Sequence, residues 1–172
     1  VVAVGAGVED CTPGDRVACA GSQCAFHAEV VRIPRNLLVH IPESVGFEEA
    51  SSVALGAIAM QGVRRASPTL GETFVVIGLG VLGQLTVQIL KANGCRVIGI
   101  DLDRDRLALA LQHGMHCGVH PSDGSDVQSV ARLSGGVGAD GVIITAASPS
   151  DEIVSTAFQM CRKKARVVLV GD

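Results

Sequence analysis

Phe74-Val75-Val76-Ile77-Gly78-Leu79-Gly80-Val81-Leu82-Gly83 is the stretch whose reading decides the fold. Four apolar residues run into three glycines at GxGxxG spacing, and a helix-forming segment continues from Val81 to Asn93. A second apolar run, Arg96-Val97-Ile98-Gly99-Ile100, ends in Asp101. A strand, a glycine turn, a helix and a strand closed by an acid make up the βαβ unit that holds dinucleotides. Gly78 permits the tight turn, Gly80 lets backbone approach a pyrophosphate, and Gly83 lets the helix pack on the strand. Val81 and Leu82 then offer backbone N–H groups at a helix N-terminus, whose dipole favours negative charge. Asp101 sits close to the ~20-residue spacing expected of an acid that accepts from the adenosine ribose hydroxyls.

Taken alone, the unit leaves other readings open. The glycines of an ordinary strand–helix turn can do no more than shape backbone. An S-adenosylmethionine pocket also combines a glycine turn with an acid at the end of the second strand.

Composition narrows the field. With 172 residues, 48% apolar and 18% charged, the chain can bury a core of one domain or of one domain and part of another. A net charge of −3 without a long basic run argues against nucleic acid. The longest apolar stretch, Phe74 to Leu90, is interrupted by Gly78, Gly80, Gly83, Gln84, Thr86 and Gln88, so it reads as strand, turn and helix and not as a membrane span. The six cysteines, Cys11, Cys19, Cys24, Cys95, Cys117 and Cys161, are scattered as in a reduced cytoplasmic protein. No signal peptide is read at the start. The chain has no Tyr, so it cannot supply the Tyr-x-x-x-Lys pair of short-chain dehydrogenases.

The hydrophobic pattern divides the chain in two. Residues 1–46 read as β-rich, with strands over Val1–Val4, Arg16–Ala20, Ala25–Ile33 and Leu37–Ile41. One helix is expected from Phe47 to Ala66, with Glu48 and Glu49 at its start and Arg64 and Arg65 near its end. Strands over 74–78, 96–100, 116–120, 141–146 and 166–170 then alternate with helices over 81–93, 104–113, 125–134 and 150–161, the last capped by Ser150. Such alternation predicts an α/β fold with a doubly wound parallel sheet over 47–172.

The order of short motifs resembles the medium-chain dehydrogenases/reductases. Pro13-Gly14-Asp15-Arg16-Val17 is similar to their PGD-[RK]-V turn, and Ile41-Pro42-Glu43-Ser44-Val45-Gly46-Phe47-Glu48-Glu49-Ala50 to their hinge. Leu70-Gly71-Glu72-Thr73 resembles the approach to the glycine turn, with Leu70 where Pro is usual, and Gly138-Ala139-Asp140 resembles the segment before the fourth strand. The resemblance implies a Rossmann domain preceded by the C-terminal part of a GroES-like β domain. It also implies a piece of a longer protein, with a Gly-His-Glu motif ahead and a sixth strand behind, and hence a fragment inactive by itself. The segment Leu55 to Arg65, taken with Gly78 to Asp101, resembles the medium-chain half of bi-domain oxidoreductases.

By the same resemblance, zinc-dependent members place their third zinc ligand where this chain has Val53, which cannot ligate metal, and the four-Cys structural-zinc loop is absent. Cys19, Cys24 and His27 have a loosely metal-like spacing but lack a fourth ligand, so no metal is expected. His113, His116 and His120 are not expected to be catalytic.

The expected cofactor is NAD. Asp101 and Asp103 would repel the 2′-phosphate of NADP, although Arg104 and Arg106 stand near enough to complicate that preference. The resemblance implies that Arg106 touches the adenosine ribose, that Thr145 and Ala146 line the adenine pocket, and that Val170 and Gly171 lie near the nicotinamide. It further implies a zinc-independent oxidoreductase that moves hydride to or from a small carbonyl, alcohol or activated alkene, and a homodimer through the Rossmann domain. The competing expectation is a dinucleotide-binding or redox-sensing module without catalysis. No catalytic residue can be named from the sequence.

Overall fold

The computed structural model describes residues 1–147 and 151–171. It divides into two compact units, residues 1–54 and 55–172. The boundary therefore falls inside a helix, between Ala54 and Leu55, and not at the Gly46–Phe47 junction expected from the sequence.

The second unit is a five-stranded parallel sheet in the order β5-β4-β3-β6-β7. Its strands are β3 (Thr73–Ile77), β4 (Arg96–Ile100), β5 (Cys117–Val119), β6 (Ala139–Ile144) and β7 (Cys161–Leu169). Helices α3 (Val81–Ala92), α4 (Arg104–Gln112), α5 (Asp126–Leu133) and α6 (Glu152–Met160) connect them. Successive strand residues point to opposite faces, and that period sorts the core. Phe74, Val76, Val97 and Ile143 pack on one face with Val87 and Leu90 of α3 and Leu107 and Ala110 of α4. Val75, Ile77, Ile98, Ile100, Val142 and Ile144 pack on the other with Val130 of α5 and Ala157 and Met160 of α6. The result is a doubly wound Rossmann sheet with apolar layers on both sides.

Topology fixes where a ligand can sit. From β3 the chain winds outward through β4 to β5, then returns to lay β6 against the other side of β3. The switch point lies at the C-terminal ends of β3 and β6, the usual crevice of open α/β sheets. The expected Ser150 cap of α6 lies outside the described residues.

At the opposite end of the sheet, charges tie three strands together. Asp140 accepts from the Thr73 N–H at 2.7 Å and from Arg162 Nε at 2.5 Å, while Arg166 reaches Glu72 at 2.5 Å. Burial works against the charged form of Asp140, but the Thr73 N–H and the Arg162 and Arg166 guanidinium groups outweigh it and hold the carboxyl below its ordinary range. A carboxylate lowered in the folded state stabilises fully above its unfolded pKa, about 3.9, and that stability is lost as pH falls through the lowered value. Asp140→Asn is therefore expected to cost about 1–3 kcal/mol at neutral pH and to flatten the loss of stability in acid. Urea unfolding at pH 7 and pH 3 checks this, and a variant as acid-sensitive as the parent would refute it.

The first unit holds the antiparallel pair β1 (Val17–Cys19) and β2 (Leu38–His40), with Val17 opposite His40. Helix α1 (Phe47–Ser51) follows, and α2 (Val53–Ala66) crosses the unit boundary. Arg16 donates to the Val45 carbonyl at 2.7 Å and lies 4.6 Å over the Phe47 ring. The strands expected over Val1–Val4 and Ala25–Ile33 do not form. An alternating segment becomes a strand only where a neighbour takes up its backbone groups; β1 and β2 pair with each other, and Phe26 and Val30 stay exposed. The helix expected over 47–66 is broken at Ser52. The hydroxyls of Ser51 and Ser52 donate to the carbonyls of Glu48 and Glu49, a back-bonding that interrupts helices.

Candidate dinucleotide site

Three glycines form the turn between β3 and α3, and each meets a different constraint. Gly78 has φ +89°, and a Cβ there would come within 2.6 Å of the Ala146 backbone N. A Cβ on Gly83 would lie 2.0 Å from the Gly78 carbonyl oxygen, so the helix sits directly on the turn. A Cβ on Gly80 would meet nothing within 4 Å. Gly78 and Gly83 are thus demanded by packing, whereas Gly80 borders open space.

That space is faced by donors. The first helical hydrogen bond of α3 runs from Gln84 N–H to the Gly80 carbonyl at 2.9 Å. The amides of Val81, Leu82 and Gly83 have no carbonyl one turn back within the helix, and Gly80 has no side chain to cap them. Val81 is exposed, while Leu79, between the first two glycines, is fully buried and anchors the turn in the core. Open space before a helix N-terminus with uncapped amides fits a diphosphate.

Asp101 is only 8% exposed. Its carboxylate accepts from the Leu79 N–H at 2.5 Å and from the Asp103 N–H at 2.8 Å. The acid thus first ties the glycine turn to the β4–α4 turn; each oxygen keeps further lone pairs for other donors. Asp103 caps α4, accepting from Asp105 N–H at 2.8 Å. Arg106 lies 3.5 Å from Asp103, and Arg104 is held to Asp123 at 2.6 Å. Both arginines near the acid are therefore paired with carboxylates.

The remaining expected residues gather at the same sheet end. The Thr145 hydroxyl donates to the Gly78 carbonyl at 2.6 Å, and the Ala146 N–H donates to Ile77 at 3.0 Å, so the end of β6 clamps the turn. The Val170 and Gly171 N–H groups both donate to the Ile144 carbonyl, at 2.9 and 3.0 Å. A Cβ on Gly171 would lie 2.5 Å from the Ala146 carbonyl oxygen. Val170 packs against Gly62 and the core.

Gln84 was not among the expected site residues. It is buried, and its Nε2 donates to the Leu79 carbonyl at 3.0 Å and the Arg106 carbonyl at 2.9 Å, bracing the turn against α4. A glutamine right after the last glycine of the turn was the available signal. Gln84→Leu is expected to cost roughly 1–3 kcal/mol, because the buried Leu79 carbonyl loses its side-chain donor and the tie to the Arg106 carbonyl is cut. Unfolding by denaturant measures this, and an unchanged midpoint would show the brace to be dispensable.

No Cys19–Cys24–His27 cluster forms among the described residues. The three-residue group that does bring candidate ligand atoms together there is Cys11, Asp15 and His40, which sequence spacing does not reveal. Val53, which the resemblance sets at the third zinc-ligand position, is apolar and 42% exposed.

Known proteins resemble this chain in sequence and in fold. The family described as zinc-binding dehydrogenase matches residues 81–172. An alcohol dehydrogenase of Geobacillus stearothermophilus is 30% identical over 168 residues, covering 94% of this chain and 49% of its own length. The chain thus spans about half the length of the curated relatives it matches. Among solved structures, a protein described as a short chain alcohol dehydrogenase of Escherichia coli CFT073, complexed with NADH, has a TM-score of 0.72 at 27% identity, over 80% of this chain and 40% of that one. A putative zinc-binding dehydrogenase of Sinorhizobium meliloti 1021 bound to NADP has a TM-score of 0.84 at 24% identity, over 99% of this chain and 58% of that one. At that identity the second likeness speaks to the fold alone.

Proposed function

This chain belongs to the zinc-binding dehydrogenase family of the medium-chain dehydrogenases/reductases, and we propose that it is the nicotinamide-binding part of an oxidoreductase that prefers NAD(H). The observation that carries the reading is the glycine turn at the switch point, with open space at Gly80 before uncapped α3 amides and with Asp101 tied beneath it. When bound, the nicotinamide supplies hydride chemistry toward a small carbonyl, alcohol or activated alkene. The chain's own residues bind and orient. The Val81 and Leu82 amides hold the diphosphate, Asp101 takes the ribose hydroxyls on its free lone pairs, and Thr145 and Ala146 keep the turn in register with β6. Arg106 lies within reach of the ribose, while Val170 and Gly171 border the nicotinamide end.

The preference for NAD(H) follows from charge. A 2′-phosphate would meet Asp101 and Asp103, and the nearby Arg104 and Arg106 are engaged by Asp123 and Asp103. Independence of a catalytic zinc belongs to the same proposal and rests on Val53. A homodimer through the Rossmann unit belongs to the same proposal.

Calorimetric titration with NADH and NADPH in parallel tests the cofactor reading. The expected result is saturable NADH binding well above NADPH. Equal binding would overturn the preference, and binding of neither would overturn the site.

A further inference from the structure

Cys11, Asp15 and His40 converge within the first unit, using no residue of the glycine turn. One Sγ, one carboxylate oxygen and one ring nitrogen lie within 4.8 Å of one another. Each is held by its surroundings. Asp15 closes the turn before β1, accepting from the Thr12 N–H at 2.7 Å and the Thr12 hydroxyl at 3.2 Å. The β1–β2 ladder, with Val17 opposite His40, brings the histidine across to it. Cys11 is 4% exposed and closes the cluster from within.

The hydrogen bonding of His40 is informative. Its Nε2 lies 2.9 Å from the Asp10 carbonyl, which can only accept, so Nε2 carries the hydrogen. In the neutral ring Nδ1 is then a lone pair, and it faces an Asp15 carboxylate oxygen at 3.9 Å. The ring nitrogen, the carboxylate oxygen and the neighbouring Cys11 sulfur together offer three ligand atoms to a cation. A backbone carbonyl on the far nitrogen is the outer-shell partner that fixes tautomer and ring orientation in metal-binding histidines. Arg35 braces that carbonyl's residue, pairing with the Asp10 carboxylate and donating to the Leu38 carbonyl at 3.3 Å.

We propose that Cys11, Asp15 and His40 form a three-ligand site for a divalent transition metal of the zinc type, with a fourth position open to water or an added ligand. A thiolate, an imidazole and a carboxylate together suit a borderline-soft ion and not magnesium or calcium. Bonds of ~2.0–2.3 Å in a tetrahedral site require ligand separations of roughly 3.3–3.7 Å, so binding must draw the ligand atoms together by up to about 1–1.5 Å. The bound ion would pin the loop before β1 to β2.

Titration of the metal-stripped, reduced chain with Co(II) tests the site. One equivalent is expected to produce thiolate-to-cobalt charge-transfer absorption in the near ultraviolet with intense visible bands of tetrahedral cobalt, both bleached by zinc. Cys11→Ser removes the charge-transfer band, and Cys24→Ser leaves it intact. Because Cys11 is buried, His40→Asn at a half-exposed position supplies the second test. It is expected to weaken cobalt binding more than the ~10–100-fold typical of losing an outer-shell partner, and to abolish the rise in Tm that zinc gives the parent. Absence of a one-equivalent band, or a band that survives both Cys11→Ser and His40→Asn, overturns the proposal.

Discussion

Gly83→Ala is expected to abolish NADH binding and to destabilise the second unit at or above the upper end of the ~1–3 kcal/mol cost of overpacking. The added methyl would lie 2.0 Å from the Gly78 carbonyl oxygen and 2.9 Å from its carbon. These are backbone atoms, and they cannot swing aside as a side-chain end can. The Gly78 carbonyl also receives the Thr145 hydroxyl at 2.6 Å, so displacing it would break the clamp from β6. Either α3 moves off the sheet or the turn deforms, and both outcomes shift the amides that face the diphosphate. Denaturant unfolding and NADH titration of the variant check the two halves of the prediction. A Gly83→Ala protein that bound NADH like the parent would show that the close helix–turn contact does not position the site. Gly80→Ala is the matched comparison: its Cβ meets no protein atom within 4 Å, so it should fold normally and lose binding only.

This contrast marks how far the sequence could be read. The β3–α3–β4 unit was legible because its signals are local. An apolar run, three glycines and an amphipathic helix lie within one stretch, and α3 begins at Val81 as the pattern predicts. Strands at Val1–Val4 and Ala25–Ile33 were misread because alternation is a property of one segment whereas a strand is a property of two. The break at Ser52 was missed because serine hydroxyls compete for helix carbonyls only once the helix exists. The site divides the same way. The glycines announce themselves, but the Thr145 clamp on Gly78 and the Gln84 brace to Arg106 depend on which chain ends the sheet brings together. The convergence of Cys11 and Asp15 with His40 likewise depends on the β1–β2 register.

Asp101→Ala is expected to lower NADH affinity by more than ~10-fold and to remove the preference for NADH over NADPH. Two effects contribute, and they can be separated. The Leu79 and Asp103 N–H groups lose their acceptor, which costs about 1–3 kcal/mol for each donor left buried and unpaired and loosens the turn that receives the diphosphate. That loosening weakens both cofactors equally, because they share the diphosphate. Loss of the carboxylate acts on them in opposite directions: NADH loses an acceptor for its ribose hydroxyls, and NADPH loses a negative charge beside its phosphate. The ratio of the two affinities is therefore blind to damage in the fold and reports the ribose contact alone. Titrations of parent and variant with both cofactors give that ratio directly. If both affinities fall together and the ratio holds, Asp101 serves the turn only, and the discrimination must come from Asp103 and from the pairing of Arg104 with Asp123. If the ratio collapses toward one, the buried acid does both jobs, holding the glycine turn with its backbone bonds and selecting the cofactor with the lone pairs that remain.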